Sequence, residues 1–297
     1  MRHLPTSLST GTRIALLFLL LLAGLLLAGA VVTLLGRWAS PDEEGRLVMI
    51  YAGTVVQSLI AIAAPALSLA FLTEKRPARY LGLSGNDKMG REIVFTLAIF
   101  LFSYPLASFL SQWNRQMVLP EAFRDLERMM RSMEDAAMET TELILSFDTV
   151  GGLLVNLLVV GVLAAVSEEL FFRGALQQLL QEWYRSGHAA VWTSAVIFSL
   201  IHFQFYGFLP RMLLGALLGY LFLYTRNLWI PILFHFINNA IVILVHYFWG
   251  STTWFRELDE LPLTLPYLAV SVTGGLVTLL LFRLYRTDAS TGQRRTI

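Results

Sequence analysis

The stretch TVGGLLVNLLVVGVLAAVSEELFFR, residues 149–173, decides the fold. From Thr149 to Val166 it carries no charge, and a helix needs about 20 apolar residues to cross a bilayer. The run then meets Glu168, Glu169 and Arg173, and GALQQLL at 174–180 is again mostly apolar. Polar groups at the end of a membrane helix require partners, and the rest of the chain has to supply them.

The surrounding composition agrees with a membrane protein. The 297 residues are 56% hydrophobic and only 14% charged, against about 25% charged in soluble domains, and mean hydropathy is +0.62. Six further runs resemble the first in length: Ile14–Gly36, Leu47–Thr73, Ile93–Asn114, Ala189–Pro210, Asn227–Phe255 and Leu261–Phe282. Met212–Thr225, between Arg211 and Arg226, makes a compact additional span. The runs are continuous and do not alternate with period two, so they are helices and not barrel strands. The expected fold is all-α, a polytopic membrane helix bundle of about eight transmembrane helices with a buried polar site.

The first run exceeds the 7–15 residues of a signal-peptide core and no small-x-small site follows it, so it is expected to be retained. Pro65 and Pro105 are expected to kink the second and third runs. Gly215 and Gly219 form a small-xxx-small pair that allows close helix approach. The absence of cysteine excludes disulfide and thiolate chemistry. The net charge of +1 gives no reason to expect a nucleic-acid partner; the lipid bilayer is the expected surrounding. No inverted repeat of the transporter kind is visible.

With the N-terminus inside, thirteen Lys and Arg fall in inside segments and eight outside, and half of the outside set sits in one long polar segment where the bias counts less. Both termini are therefore expected in the cytoplasm. The organisation expected is residues 1–115 as the first three helices, 116–148 as an amphipathic extramembrane segment, 149–285 as the core, and 286–297 as a polar tail. Within the second of these, Phe123, Leu126, Met130, Met133, Ala137 and Ile144 recur at helical spacing, which suggests a helix lying on the membrane or capping the bundle.

Ionisable groups in a membrane helix cost at least ~2.5–3.5 kcal/mol each and so face a partner or a wet cavity. Glu169 and Arg173 are four residues apart and can pair on one helix face. Glu168 lies about 100° round the helix and must look elsewhere. Phe198 and His202 in FSLIH (198–202) are one turn apart, as are His235 and Asn239 in HFINN (235–239), which also holds Asn238. A carboxylate withdrawn from water is a stronger base; an imidazole can share its proton, and further donors can stabilise an oxyanion. Such a set is equipped to add water to a carbonyl. Taken singly, the elements have simpler explanations: a Glu–Arg clasp or a hydrogen-bonded packing histidine. His188 and His246 fit the latter and receive no role.

The three motifs, EELFFR at 168–173, FSLIH and HFINN, taken with the flanks FRGALQQLL and LWIPILFHFINN, resemble the EExxxR, FxxxH and HxxxN motifs of the CPBP family of intramembrane proteases. That family includes the type II CAAX prenyl endopeptidases and bacterial abortive-infection proteins. The resemblance covers roughly residues 150–250. It implies a metal-independent glutamate endopeptidase without cofactor, acting on a peptide or protein substrate that is membrane-associated or lipidated. Glu168 with His202 would activate water, His235 and Asn239 would line the oxyanion hole, and Glu169, Arg173 and Phe198 would support them. The alternatives are a zinc protease ligated by Glu168, Glu169, His202 and His235, a non-catalytic scaffold or bacteriocin-immunity-like protein, and a transporter using Glu168 as a proton relay. Zinc is disfavoured by the absence of HExxH and by Arg173 beside Glu169.

Overall fold

A computed structural model describes residues 8–85, 88–250, 252 and 262–294, with side chains to residue 286. Among them the principal elements are α1 (Thr10–Gly36), α2 (Glu43–Thr73), α3 (Met89–Arg115), α4 (Arg124–Leu145), α5 (Val150–Tyr184), α6 (Gly187–Leu200), α7 (Phe208–Thr225), α8 (Trp229–Trp249) and α9 (Leu265–Arg294). Seven of these spans are long and apolar enough to cross a membrane, and α6, with 14 residues, is a shorter apolar helix. The eight apolar helices form an all-helical polytopic bundle, as expected from the hydropathy.

Local sequence sets the ends. Ser9, Asp42, Thr149 and Ser186 cap α1, α2, α5 and α6, each accepting a hydrogen bond from an amide in the first turn. Arg185 and Arg226 adopt left-handed backbone, with φ of 53° and 54°, and stop α5 and α7. Pro65 follows a π-helical segment, Gln57–Ala63, inside α2, and Pro105 sits within a continuous α3.

Three of the expected runs end elsewhere. The fourth run, expected to span Thr149–Ser167, does not end there. It continues as one 35-residue helix to Tyr184, because Glu169 and Arg173 neutralise each other and Leu170 to Gln177 are all buried among neighbouring helices. The fifth run, Ala189–Pro210, breaks after Leu200. A turn with Phe203 at φ 53° intervenes, and the chain resumes as α7, which begins four residues before the expected Met212 and holds Pro210 in its first turn, where proline is tolerated. The sixth run ends at Trp249 rather than Phe255; Phe255 and Arg256 lie outside the described residues. So do Arg2 and Arg295.

The bundle has an apolar outside as well as an apolar inside. On α1, Leu19, Leu22, Leu26 and Leu27 are more than half exposed, as are Leu276, Leu279, Leu280 and Leu284 on α9. Contiguous apolar surface of that extent belongs against lipid, and the chain is an integral membrane protein. Inside, Phe171, Phe172, Leu176, Leu179, Phe198 and Phe222 form the main core around α5. A second cluster of Ile99, Leu218, Ile230, Phe234 and Phe282 joins α3, α7, α8 and α9. Gly215 and Gly219 permit the close approach of α7: a Cβ on Gly215 would stand 3.1 Å from Ala195 Cα, and one on Gly219 2.8 Å from Gln177 Oε1.

Helix α4 caps the bundle. Met130, Met133, Ala137 and Ile144 are half-buried, while Phe123 and Leu126 stay exposed. Its C-terminal end is tied by the Ile144 carbonyl, which accepts from Asn156 Nδ2 at 2.8 Å, with Tyr51 donating to Asn156 Oδ1 at 2.6 Å. Nearer the other end, Arg131 lies 4.3 Å over the Tyr206 ring and Glu134 accepts from the Tyr206 amide at 3.1 Å. Asn156→Ala removes both of these bonds and leaves the weaker one from the Tyr51 hydroxyl to the Ile144 carbonyl at 3.4 Å. At about 0.5–1.5 kcal/mol net per hydrogen bond, amide exchange over residues 139–147 should accelerate by roughly 5- to 100-fold, which exchange mass spectrometry would read.

Candidate functional site

The acidic pair sits where α5 changes geometry. Ala164–Glu169 is α-helical and Leu170–Gln177 is π-helical, a widening found frequently at functional sites. The two carboxylates diverge from there. Glu169 is fully buried. Its Oε1 accepts from Arg173 Nη1 at 2.9 Å and from His235 Nδ1 at 2.9 Å. The Arg173 side chain is buried too, donating through Nη2 to the Gly215 carbonyl at 2.9 Å and lying 4.8 Å over the Phe198 ring. Glu168 keeps 17% of its side chain exposed and lines a cavity of about 300 Å³.

That cavity gathers residues far apart in sequence. Glu168 from α5, Phe198 from α6, His202 from the turn after α6, and His235 and Asn239 from α8 all line it. Glu169 and Arg173 stand behind it. His202 donates from Nδ1 to the Phe198 carbonyl at 2.7 Å and meets the Phe198 ring edge-on at 5.0 Å. In the neutral ring this leaves Nε2 as the acceptor nitrogen. His235 is fixed in the same tautomer by Glu169, and its Nε2 stands 3.8 Å from Glu168 Oε2. The distance exceeds a direct hydrogen bond and suits one bridging water. Asn239 donates to the Val160 carbonyl at 3.0 Å and accepts from Asn238 at 3.3 Å.

Two features differ from the reading of the motifs. Glu169 is not devoted to Arg173 alone, since it also orients His235. And His235, rather than His202, is the imidazole whose nitrogen stands within 4 Å of Glu168. Residues that the motifs did not single out share the cavity: Arg211 and Leu214 of α7, Asn238 of α8, and Thr141, Ile144 and Leu145 of the cap α4. In sequence Arg211 reads as a charge between two spans, and only the tertiary fold brings it beside Glu168. Among the described residues no three His, Asp or Glu side chains are grouped as ligands of one metal ion.

Residues 150–241 match the family model described as Type II CAAX prenyl endopeptidase Rce1-like. The chain is also 34% identical over 83 residues to "Uncharacterized protein YpbD" of Bacillus subtilis (strain 168), a match covering 27% of this chain and 39% of that protein. No solved structure matches. Residues 150–241, which hold Glu168, Glu169, Arg173, Phe198, His202, His235 and Asn239, carry the Rce1-like pattern, consistent with the CPBP family that the three motifs resemble.

Proposed function

We propose that the chain is an intramembrane endopeptidase of the CPBP type. The observation that carries this reading is the division of the acidic pair: Glu169 is locked to Arg173 and His235, while Glu168 alone faces the cavity shared with His202, His235 and Asn239. A water between Glu168 and an imidazole Nε2 gives its proton to the carboxylate as its oxygen attacks the scissile carbonyl. The tetrahedral oxyanion is stabilised by donors on the cavity wall, a role assigned to Asn239 through the N–H not given to Val160 and to His235 once its Nε2 carries a proton. The same proton then passes to the leaving amine as the C–N bond breaks, and Glu168 is regenerated. Glu169 and Arg173 hold His235 in orientation, and Phe198 holds His202.

The substrate is a peptide or protein associated with the membrane or lipidated, and the setting is a bacterial cell membrane with both termini in the cytoplasm. The charge distribution supports that orientation. Membrane peptidomes of cells carrying the native chain or Glu168→Gln test the function. Peptides present only with the native chain are the expected result; indistinguishable peptidomes would favour a scaffold.

The mechanism requires no metal. Turnover by the purified protein should be unchanged in excess chelator, whereas loss restored by added zinc would assign the carboxylates and histidines to a metal centre instead.

A further inference from the structure

The cavity at Glu168 adjoins a larger one of about 730 Å³ beneath α4, and the two share Thr141, Leu145, Arg211, Leu214, Asn238 and Val242. The larger cavity lies within the ~300–1,000 Å³ of ligand sites. Its walls combine apolar side chains (Phe100, Tyr104, Leu217, Phe234) with the polar Ser103 and Ser111. Part of it, from α3 and α4, lies outside the segment that matches the family model.

Three arginines line this space. Arg131 is paired with Glu127 at 2.7 Å and stacked on Tyr206, and Arg115 also has a partner. Arg211 differs. It is half-buried, and its hydrogen bonds go to Gln204, from Nη1 to the carbonyl at 3.3 Å and from Nη2 to Oε1 at 2.6 Å. Both acceptors are neutral. The charges of Glu134 and Glu168 act on it through space, without a carboxylate bonded to it among the described residues. Asp135 and Glu142 also line the larger cavity. A guanidinium has five N–H donors, so three remain on a group already held in place by Gln204 at the junction of the two cavities. A positioned, partly desolvated guanidinium with spare donors is suited to bidentate recognition of a carboxylate.

We propose that the larger cavity binds the polypeptide on one side of the scissile bond, and that Arg211 receives an anionic group of that polypeptide, an acidic side chain or a terminal carboxylate. This rests on the peptidase reading for what happens next, but not for the binding itself. The anion places the chain along the path from the cap to Glu168, and the apolar walls take the neighbouring side chains.

The test uses the full chain in detergent and fluorescent decapeptides in matched pairs: terminal acid against terminal amide, and Glu against Gln at one internal position. Binding is measured by anisotropy on the Glu168→Gln background. At least one charged form is expected to bind about tenfold tighter or more, in line with a hydrogen bond to a charged group. The pair that discriminates identifies the source of the anion. Arg211→Gln should bring that ratio close to one, and Arg211→Lys should retain part of it. An unchanged ratio in folded Arg211→Gln and Arg211→Lys proteins overturns the proposal, as does binding that never discriminates. Turnover of the same peptides with Glu168 intact is read separately. Cleavage without discrimination defeats the Arg211 proposal alone, and discrimination without cleavage defeats the peptidase reading alone.

Discussion

Glu168→Gln is expected to reduce peptide turnover by about 10²–10⁴-fold, the usual contribution of a positioned general base, and to leave the protein folded. The side chain makes no hydrogen bond among the described residues, and His235 Nε2 stands 3.8 Å from it. An amide of the same shape therefore leaves packing intact while losing the ability to take a proton from water. Thermal unfolding in detergent should be nearly superimposable on that of the native chain. If Glu168→Gln retained full turnover, the base would lie elsewhere in the cavity.

Arg173→Met should have the opposite signature, a large loss of stability. Removing the guanidinium leaves the Glu169 carboxylate fully buried with only His235 beside it, and the Gly215 carbonyl loses its donor. Breaking a buried ion pair from one side costs about 3–5 kcal/mol, whereas replacing both partners by apolar residues is often neutral. The double variant Arg173→Met with Glu169→Leu should therefore recover much of the stability lost in the single variant. It should not recover turnover, because His235 loses the carboxylate that fixes its ring. Melting temperature and turnover measured together on both variants check this; equal stability of the single variant and the native chain would contradict the clasp.

The bundle was legible because the lipid contributes a simple rule: long charge-free runs must be helices. The rule misled where charge was neutralised internally. Glu169 and Arg173 appear to a reader of sequence as the end of a span, yet as a buried pair they sit in the middle of α5. The break after Leu200 was hidden for another reason. Its turn residues, Ile201, His202 and Phe203, are not the Gly, Asn or Pro that usually announce one, and Phe203 takes a left-handed backbone that few non-glycine residues adopt. Glu168, Phe198, His202, His235 and Asn239, which line one cavity, are legible as motif types and spacings. The bond from His235 to Glu169 and the position of Arg211 were not, since they depend on helices 66 and 43 residues apart in sequence, for which no local pattern exists.

The central claim is that this cavity adds water to a peptide bond. The most direct measurement places the purified full chain in liposomes with membrane-associated peptides in ¹⁸O-water, and reads the new carboxyl termini by mass spectrometry. The account predicts one ¹⁸O in each new carboxylate with the native chain, and none above background with Glu168→Gln. Equal incorporation by the two proteins, or no cleavage by a native chain shown to be folded, would contradict it.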